Sequence, residues 1–223
     1  MPGLFAPHRL LHRTFALVID LVFPPRCAGC GRVDTLWCER CQTALEQMPP
    51  PRQVQPLPPL SGMASSGVHA GKIQQAIWSL KYENGRALAE PLGERLAQHL
   101  AHLEWAIDQV VPVPMHAHRL AERGYNQAQL LAEQLALHAA LPCVPTALRR
   151  WRFTPSQVGM GRSERLTNVK DAFAADAALV QGRTILLVDD VYTTGATLSA
   201  CAEALLAVGA AAVYGLTVSA ARH

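Results

Sequence analysis

Two adjacent carboxylates, Asp189 and Asp190, are followed after a short step by Thr193-Thr194-Gly195-Ala196-Thr197. Ahead of them run the apolar and β-branched residues Thr184–Val188. That run predicts a buried strand of a parallel sheet, with the acids at its carboxyl end. In open α/β sheets ligands bind outside those ends. The turn after the acids then opens a helix, so it presents backbone N–H groups and threonine hydroxyls where the helix dipole is positive. This suits a phosphate monoester. Gly195 lets backbone approach without a Cβ in the way. Two neighbouring carboxylates would repel a phosphate. They suit neutral diol hydroxyls, or a Mg2+ ion carried in by the ligand. Phosphate and diol together describe a phosphorylated ribose. A strand–helix junction that only needed capping would use one such residue.

The second set of chemical residues is Cys27-x-x-Cys30 and Cys38-x-x-Cys41, four cysteines within fifteen residues. In a reducing compartment such pairs read as metal ligands before disulfides. Four thiolates suit a structural, tetrahedral Zn2+, and Gly29 and Gly31 ease the tight turns it demands. A module of under ~60 residues gains stability from such a staple. Cys143 and Cys201 stand alone and read as small buried residues. His116 and His118 have no third ligand nearby and do not make a metal site.

Positioning these residues needs an α/β scaffold. The chain has 223 residues, half of them hydrophobic and 17% charged, with a net charge of +3. This is a globular composition, and its charge alone does not argue for nucleic acid. Phe15–Phe23 is too short to span a bilayer, is broken by Asp20, and lacks a signal cleavage site. A cytoplasmic location is the default expectation. Proline crowds positions 49–59, a stiff linker that divides the chain near residue 60. Residues 1–60 would hold an N-terminal helix, the zinc-ribbon module and the linker. Residues 61–223 would form the parallel-sheet domain. Helices are predicted over Gly71–Lys81, Ala87–Leu103, Asn126–Ala139 and Thr197–Val208, the last stopped by Gly209. Asn126 is an N-cap with Gln129 as its reciprocal partner. Strands are predicted at Gln109–Pro114, Pro142–Leu148, Thr184–Val188 and Ala212–Val218. Residues 149–168 read mostly as loop.

The segment Ile185–Thr197, ILLVDDVYTTGAT, resembles the signature of type I phosphoribosyltransferases, which bind phosphoribosyl diphosphate (PRPP). More of the chain narrows the likeness. The paired cysteines, Leu80-Lys81-Tyr82, Val111–Pro114 leading to Arg119, Arg123-Gly-Tyr-Asn-Gln127, and Gln157 with Arg165 and Asn168 together resemble the ComF family. These are bacterial proteins tied to DNA uptake, natural competence and use of external DNA, with GntX-type members sharing the pattern. The resemblance runs along essentially the whole chain.

It implies a type I phosphoribosyltransferase-like domain behind a zinc-ribbon module. Asp189 and Asp190 would hold the ribose 2′- and 3′-hydroxyls, and Thr193, Thr194, Gly195, Ala196 and Thr197 the 5′-phosphate. Arg119 and Arg123 would meet pyrophosphate. They lie four apart, so one helical face can carry both, though they could equally form a solvated basic face. Gln157, Arg162 and Arg165 fall where the class keeps a lid that excludes water. The activity implied is transfer of a phosphoribosyl group, with Mg2+, to an unidentified acceptor. A competence or DNA-processing factor that binds PRPP without turnover is the alternative. Arg9, Arg13, Arg26, Arg32 and Arg40 suit DNA phosphates. Arg149-Arg-Trp-Arg-Phe153 alternates cations with aromatics as single-strand binders do, or simply ends a strand. Single-stranded DNA and DNA-uptake proteins are therefore candidate partners.

Overall fold

A computed structural model describes residues 24–48, 54–151 and 172–221. Its sheet holds four parallel strands: β1 (Gly62–Ser65), β2 (Gln109–Pro112), β5 (Thr184–Tyr192) and β6 (Ala212–Ala220), in the order β1-β6-β5-β2. Side chains alternate across a strand, and both faces here are apolar. Ala64, Val110, Leu186, Val188, Leu216 and Val218 face one way and Met63, Val111, Ile185, Leu187 and Val213 the other. Burial on both sides explains why the central run of β5 shows no polar alternation in sequence.

The first face is covered by α2 (Gly71–Tyr82), α3 (Ala89–Leu100) and α5 (Gln127–Ala139) through Ile73, Ile77, Leu92, Leu96, Leu131 and Leu135. The second is covered by α7 (Ala196–Ala207), α6 (Ala177–Val180) and the antiparallel pair β3 (Leu148–Arg150) and β4 (Phe173–Ala175). A seven-residue helix, α4 (Ala117–Arg123), follows β2. No helix among the described residues is long and apolar enough to cross a membrane.

Several elements differ from the sequence expectations for local reasons. The Pro142–Leu148 strand does not form. A single bridge at Cys143 meets Val110, Pro145–Ala147 makes a 3-10 turn, and only Leu148–Arg150 is extended. Two prolines that cannot donate to a ladder account for the break. The helix expected over Ala87–Leu103 starts as a 3-10 turn, Arg86–Leu88, and is α-helical only over Ala89–Leu100. Asn126 does cap α5, its Oδ1 accepting from the Ala128 amide at 3.1 Å. Gln129, however, turns outward and donates to Glu133 at 2.8 Å, so the reciprocal half of the box is absent. The strand expected to stop at Val188 runs on to Tyr192, and the one expected to reach Val218 runs to Ala220.

The cysteine segment is not a free appendage. Its helix α1 (Glu39–Glu46) packs on α2, and Leu45 is buried in the core of the α/β sheet. Lys72 on α2 donates to the Gly29 carbonyl. Arg95 on α3 donates to the carbonyls of Leu45 at 2.6 Å, Met48 at 3.2 Å and Ser66 at 2.5 Å. A guanidinium with fixed, divergent donors is suited to joining three carbonyls from two segments. Arg95→Met should remove these bonds and destabilise the protein by about 2–4 kcal/mol. This is read as a fall of roughly 5–12 °C in Tm by calorimetry; an unchanged Tm would show that the clamp carries no weight.

Candidate functional site

β2 and β5 stop pairing at different heights. Pro112 faces Val188, the Val113 amide donates to the Val188 carbonyl at 2.9 Å, and β2 then ends. On the other side β5 stays paired with β6 through Asp189, Val191 and Tyr192. Asp189 and Asp190 therefore sit in a strand that has one neighbour, at the rim where β2 has given out.

Because the strand continues, the two acids point to opposite faces. Asp190 is in phase with Leu186 and Val188 and is 4% exposed. Its Oδ1 lies 2.8 Å from the Lys81 Nζ at the end of α2, while its Oδ2 is buried without a hydrogen-bond partner among the described residues. Asp189 is in phase with Ile185 and Leu187 and is half-buried on the side of Arg150 and Cys201. Its Oδ1 accepts from the Asp190 amide at 2.8 Å. The pair straddles the strand end rather than projecting side by side.

Burial and then the charge of Asp190 push the Asp189 carboxyl up to about 7, against the pull of Lys81 and Arg150. Burial opposes the Lys81 ammonium too, but Asp190, and to a lesser degree Asp189, hold it above the ordinary lysine range. Behind the pair, the His69 Nδ1 is 2.8 Å from the Ser219 Oγ, and burial followed by the Lys81 charge keeps the ring's pKa low.

The turn after β5 reverses at Gly195, whose φ of 79° lies in the left-handed region. A Cβ there would also meet the Tyr192 hydroxyl at 2.5 Å. Both facts require glycine. Helix α7 begins at Ala196, one residue before the expected Thr197, and the Thr194 Oγ1 is 3.5 Å from the Ala196 amide. The amides of the first turn have no partner within their own helix, so Thr193–Thr197 offers the donor-rich helix start that the sequence predicts. Tyr192 and Ser199 brace it, donating to the carbonyls of Gln55 at 3.1 Å and Pro58 at 2.6 Å.

Lys81 also lines an open cleft of about 600 Å³ together with Tyr82, Asn84, Arg119, Glu122, Arg123 and Tyr125. Both arginines predicted to meet an anion therefore face one hollow. Arg123 bonds the Gln127 Oε1 and sits 5.3 Å from the Tyr82 ring centre. The lid candidates Gln157, Arg162 and Arg165 lie outside the described residues, as do Arg9, Arg13, Arg152 and Phe153. Of the cation–aromatic segment, Arg149 and Trp151 are exposed. Arg150 instead packs 5.4 Å over the Phe173 ring. Burial, then Arg119, lower its pKa, and Asp189 attracts it.

Lys81, which pairs with Asp190 and lines the cleft, is a residue to which sequence reasoning gave no role. A signal existed: Lys81 follows Ile73 and Ile77 at helical spacing, so a charge falls on the buried stripe of α2.

The four cysteine sulfurs all lie within 4.8 Å of one another, and Cys30 and Cys38 are 3.6 Å apart. A tetrahedron of thiolates at about 2.3 Å from zinc has S···S edges of about 3.8 Å. The amides of Cys30 and Gly31 turn back to the Cys27 carbonyl, and those of Cys41 and Gln42 to the Cys38 carbonyl, making two matching knuckles. A Cβ on Gly29 would meet the Cys41 Sγ at 2.6 Å. Burial and the other thiols push Cys41 up to about 12. Burial raises Cys27 as well, but backbone hydrogen bonds from Cys38, Gly29 and Cys30 bring it down to about 6. The donor set fits a tetrahedral cation held by four thiolates.

The family model of the phosphoribosyl transferase domain matches residues 80–223. Sheet, acid pair and turn thus define a protein of the phosphoribosyltransferase fold. The DNA utilization protein YhgH of Escherichia coli K12 is 31% identical over 194 residues, spanning 84% of this chain and 85% of that protein. Competence protein F of Haemophilus influenzae is 30% identical over 193 residues, spanning 83% and 80%. Competence protein ComFC of Bacillus subtilis is 38% identical over 103 residues, spanning 46% and 40%. The chain belongs to the ComF family of phosphoribosyltransferase-fold proteins.

Asp189 gives a pH test. Its pKa is higher in the folded chain than its ordinary value of 3.8, so the folded state holds that proton more tightly. Its contribution to stability is complete below about pH 4 and is lost as pH rises toward 7. The loss is at most about 4 kcal/mol. Asp189→Asn should melt above wild type at pH 8, the difference shrinking toward pH 4. A constant difference across that range would contradict the assignment.

Proposed function

We propose that this protein binds PRPP with Mg2+ and transfers the phosphoribosyl group to an acceptor, releasing pyrophosphate. The observation that carries this is the junction at the carboxyl end of β5. It sets two carboxylates and a glycine-hinged helix start at one strand end, and Lys81, paired with Asp190, joins that end to the hollow that Arg119 and Arg123 also line. In this reading the first-turn amides and the hydroxyls of Thr193, Thr194 and Thr197 receive the 5′-phosphate. Asp189 and Asp190 accept hydrogen bonds from the ribose hydroxyls. Arg119 and Arg123 neutralise the diphosphate together with ligand-borne Mg2+. In the reaction the bond from the anomeric carbon to the pyrophosphate oxygen breaks, the acceptor forms the new bond, and its proton leaves. Such a transition state needs placement, charge stabilisation and exclusion of water rather than a protein nucleophile. Gln157, Arg162 and Arg165 belong to this reading as lid residues.

Cys27, Cys30, Cys38 and Cys41 would hold one Zn2+ as the core of a ribbon-like module. Elemental analysis should find about one zinc per chain, and its absence from folded protein would refute the assignment.

A second reading has a separate support. Arg149 and Trp151 are exposed, and relatives are named for DNA utilization and competence. In that reading PRPP is bound as a signal by a factor that contacts single-stranded DNA. The two are separated by incubating the protein with PRPP, Mg2+ and a panel of nucleobases. Acceptor-dependent pyrophosphate release supports transfer. Tight binding without release, joined to salt-sensitive binding of single-stranded DNA, supports the second. In either case Asp189→Asn combined with Asp190→Asn should abolish PRPP binding in calorimetry while the circular dichroism spectrum is kept. Unchanged affinity would remove the acid pair from the site.

A further inference from the structure

We propose that Lys81 is an exchanging counter-ion: it neutralises Asp190 in the empty site, and moves to the diphosphate when PRPP binds. The inference rests on the reading of the site as a PRPP site and assigns a residue to its diphosphate end.

Three observations carry it. The first is that the Lys81–Asp190 pair is incomplete. Asp190 is almost wholly buried, yet among the described residues only Oδ1 is engaged, by Nζ at 2.8 Å, and the buried Oδ2 meets no hydrogen-bond partner there. A buried ion pair kept for structure alone is stabilising only when the remaining lone pairs are also satisfied. An unpaired oxygen at a strand end fits a group that another donor must reach, and a sugar hydroxyl is such a donor.

The second is that Lys81 belongs to two places at once. Its head group pairs with Asp190, while the same residue lines the cleft shared with Arg119 and Arg123. Its side chain keeps 21% of its surface exposed against 5% for Asp190, so the lysine is the partner with access to the cleft. The third is chemical. An ammonium on a four-carbon stem is a mobile point charge with three donors, whereas a guanidinium is a rigid fork. Exchange between a carboxylate and a phosphate oxygen needs the former.

The electrostatics favour exchange. Without a cation, Asp189 and Asp190 would repel an arriving diphosphate. His69, the other nearby base, is biased toward its neutral form by burial and by Lys81 itself. Lys81 therefore masks Asp190 until the ligand brings its own Mg2+ and sugar hydroxyls, and Asp190 then takes the hydroxyls as Lys81 departs.

Calorimetry with PRPP and with ribose 5-phosphate, on wild type, Lys81→Met and Lys81→Arg, tests this. Lys81→Met should bind PRPP roughly 10- to 100-fold more weakly, the range expected for loss of a hydrogen bond to a charged group. Its affinity for ribose 5-phosphate should stay within about threefold of wild type, since that ligand lacks the diphosphate. A parallel loss for both ligands would show that Lys81 only positions Asp190, and no change for either would show that it does nothing; both overturn the proposal. Wild type that binds neither ligand would overturn the PRPP reading itself. If Lys81→Met does not fold, the wild-type Lys81 Nζ resonance, assigned by its absence from Lys81→Arg, answers instead. It should shift with inorganic pyrophosphate alone. A resonance unmoved by pyrophosphate overturns the exchange.

Discussion

Strand β5 is hydrogen-bonded on both sides only as far as Val188. Above that height β6 still pairs with it, but β2 has ended at Pro112. A paired β2 would have continued across Asp189 and Asp190, spending their backbone on a ladder and closing the rim. Its absence leaves the acids on a half-supported strand with the chain of α4 and its two arginines drawn alongside. Pro112 and Pro114 act on the opposite edge of β2, where Val110 bridges Cys143 and neither proline can supply a further N–H.

The half-supported strand also explains the charge arrangement. Pleating sends Asp190 toward α2 and Asp189 toward α7, so each acid meets a different cation, Lys81 on one side and Arg150 on the other. Placing both on one face would have brought two carboxylates together in a low-dielectric setting. The opposing placement lets a buried acidic pair persist while leaving the Asp190 Oδ2 without a partner among the described residues.

Much of this was legible in the residues. The five-residue run before Asp189, the acids and the Thr/Gly turn each carry a local signal, and the start of the strand, the hinge and the helix start follow within a residue or so. Cysteine spacing likewise located a cluster that closes to within 4.8 Å. The extension of β5 through Asp190 was not legible, because polar residues in a strand read as its end. Whether a strand stops there is decided by β6, which lies far away in sequence. Lys81 was hidden for a related reason. A lysine in the last turn of a helix reads as a favourable partner for the helix dipole, and only the tertiary fold shows that its stem enters the core toward Asp190. Arg150 is the reverse case. Sequence placed it in an exposed cation–aromatic stripe, while strand pairing with β4 turns it inward over Phe173. Gln129 failed as a reciprocal cap because Glu133, one turn on, offered a charged acceptor.

The segment ahead of the sheet has a consequence for how the chain divides. Lys72, Arg95, Tyr192 and Ser199 all lie in the α/β part, and they donate to the carbonyls of Gly29, Leu45, Met48, Gln55 and Pro58. A fragment starting at Ser61 would keep every strand and yet strand four donors, two of them bracing the turn around Gly195. The cysteine segment and its proline tail thus act as a fitted collar whose backbone carbonyls, with the Leu45 side chain, finish the surface of the larger unit. Trimming the chain to its sheet would deliver a topologically complete molecule with an unfinished edge at the very place where ligand is expected.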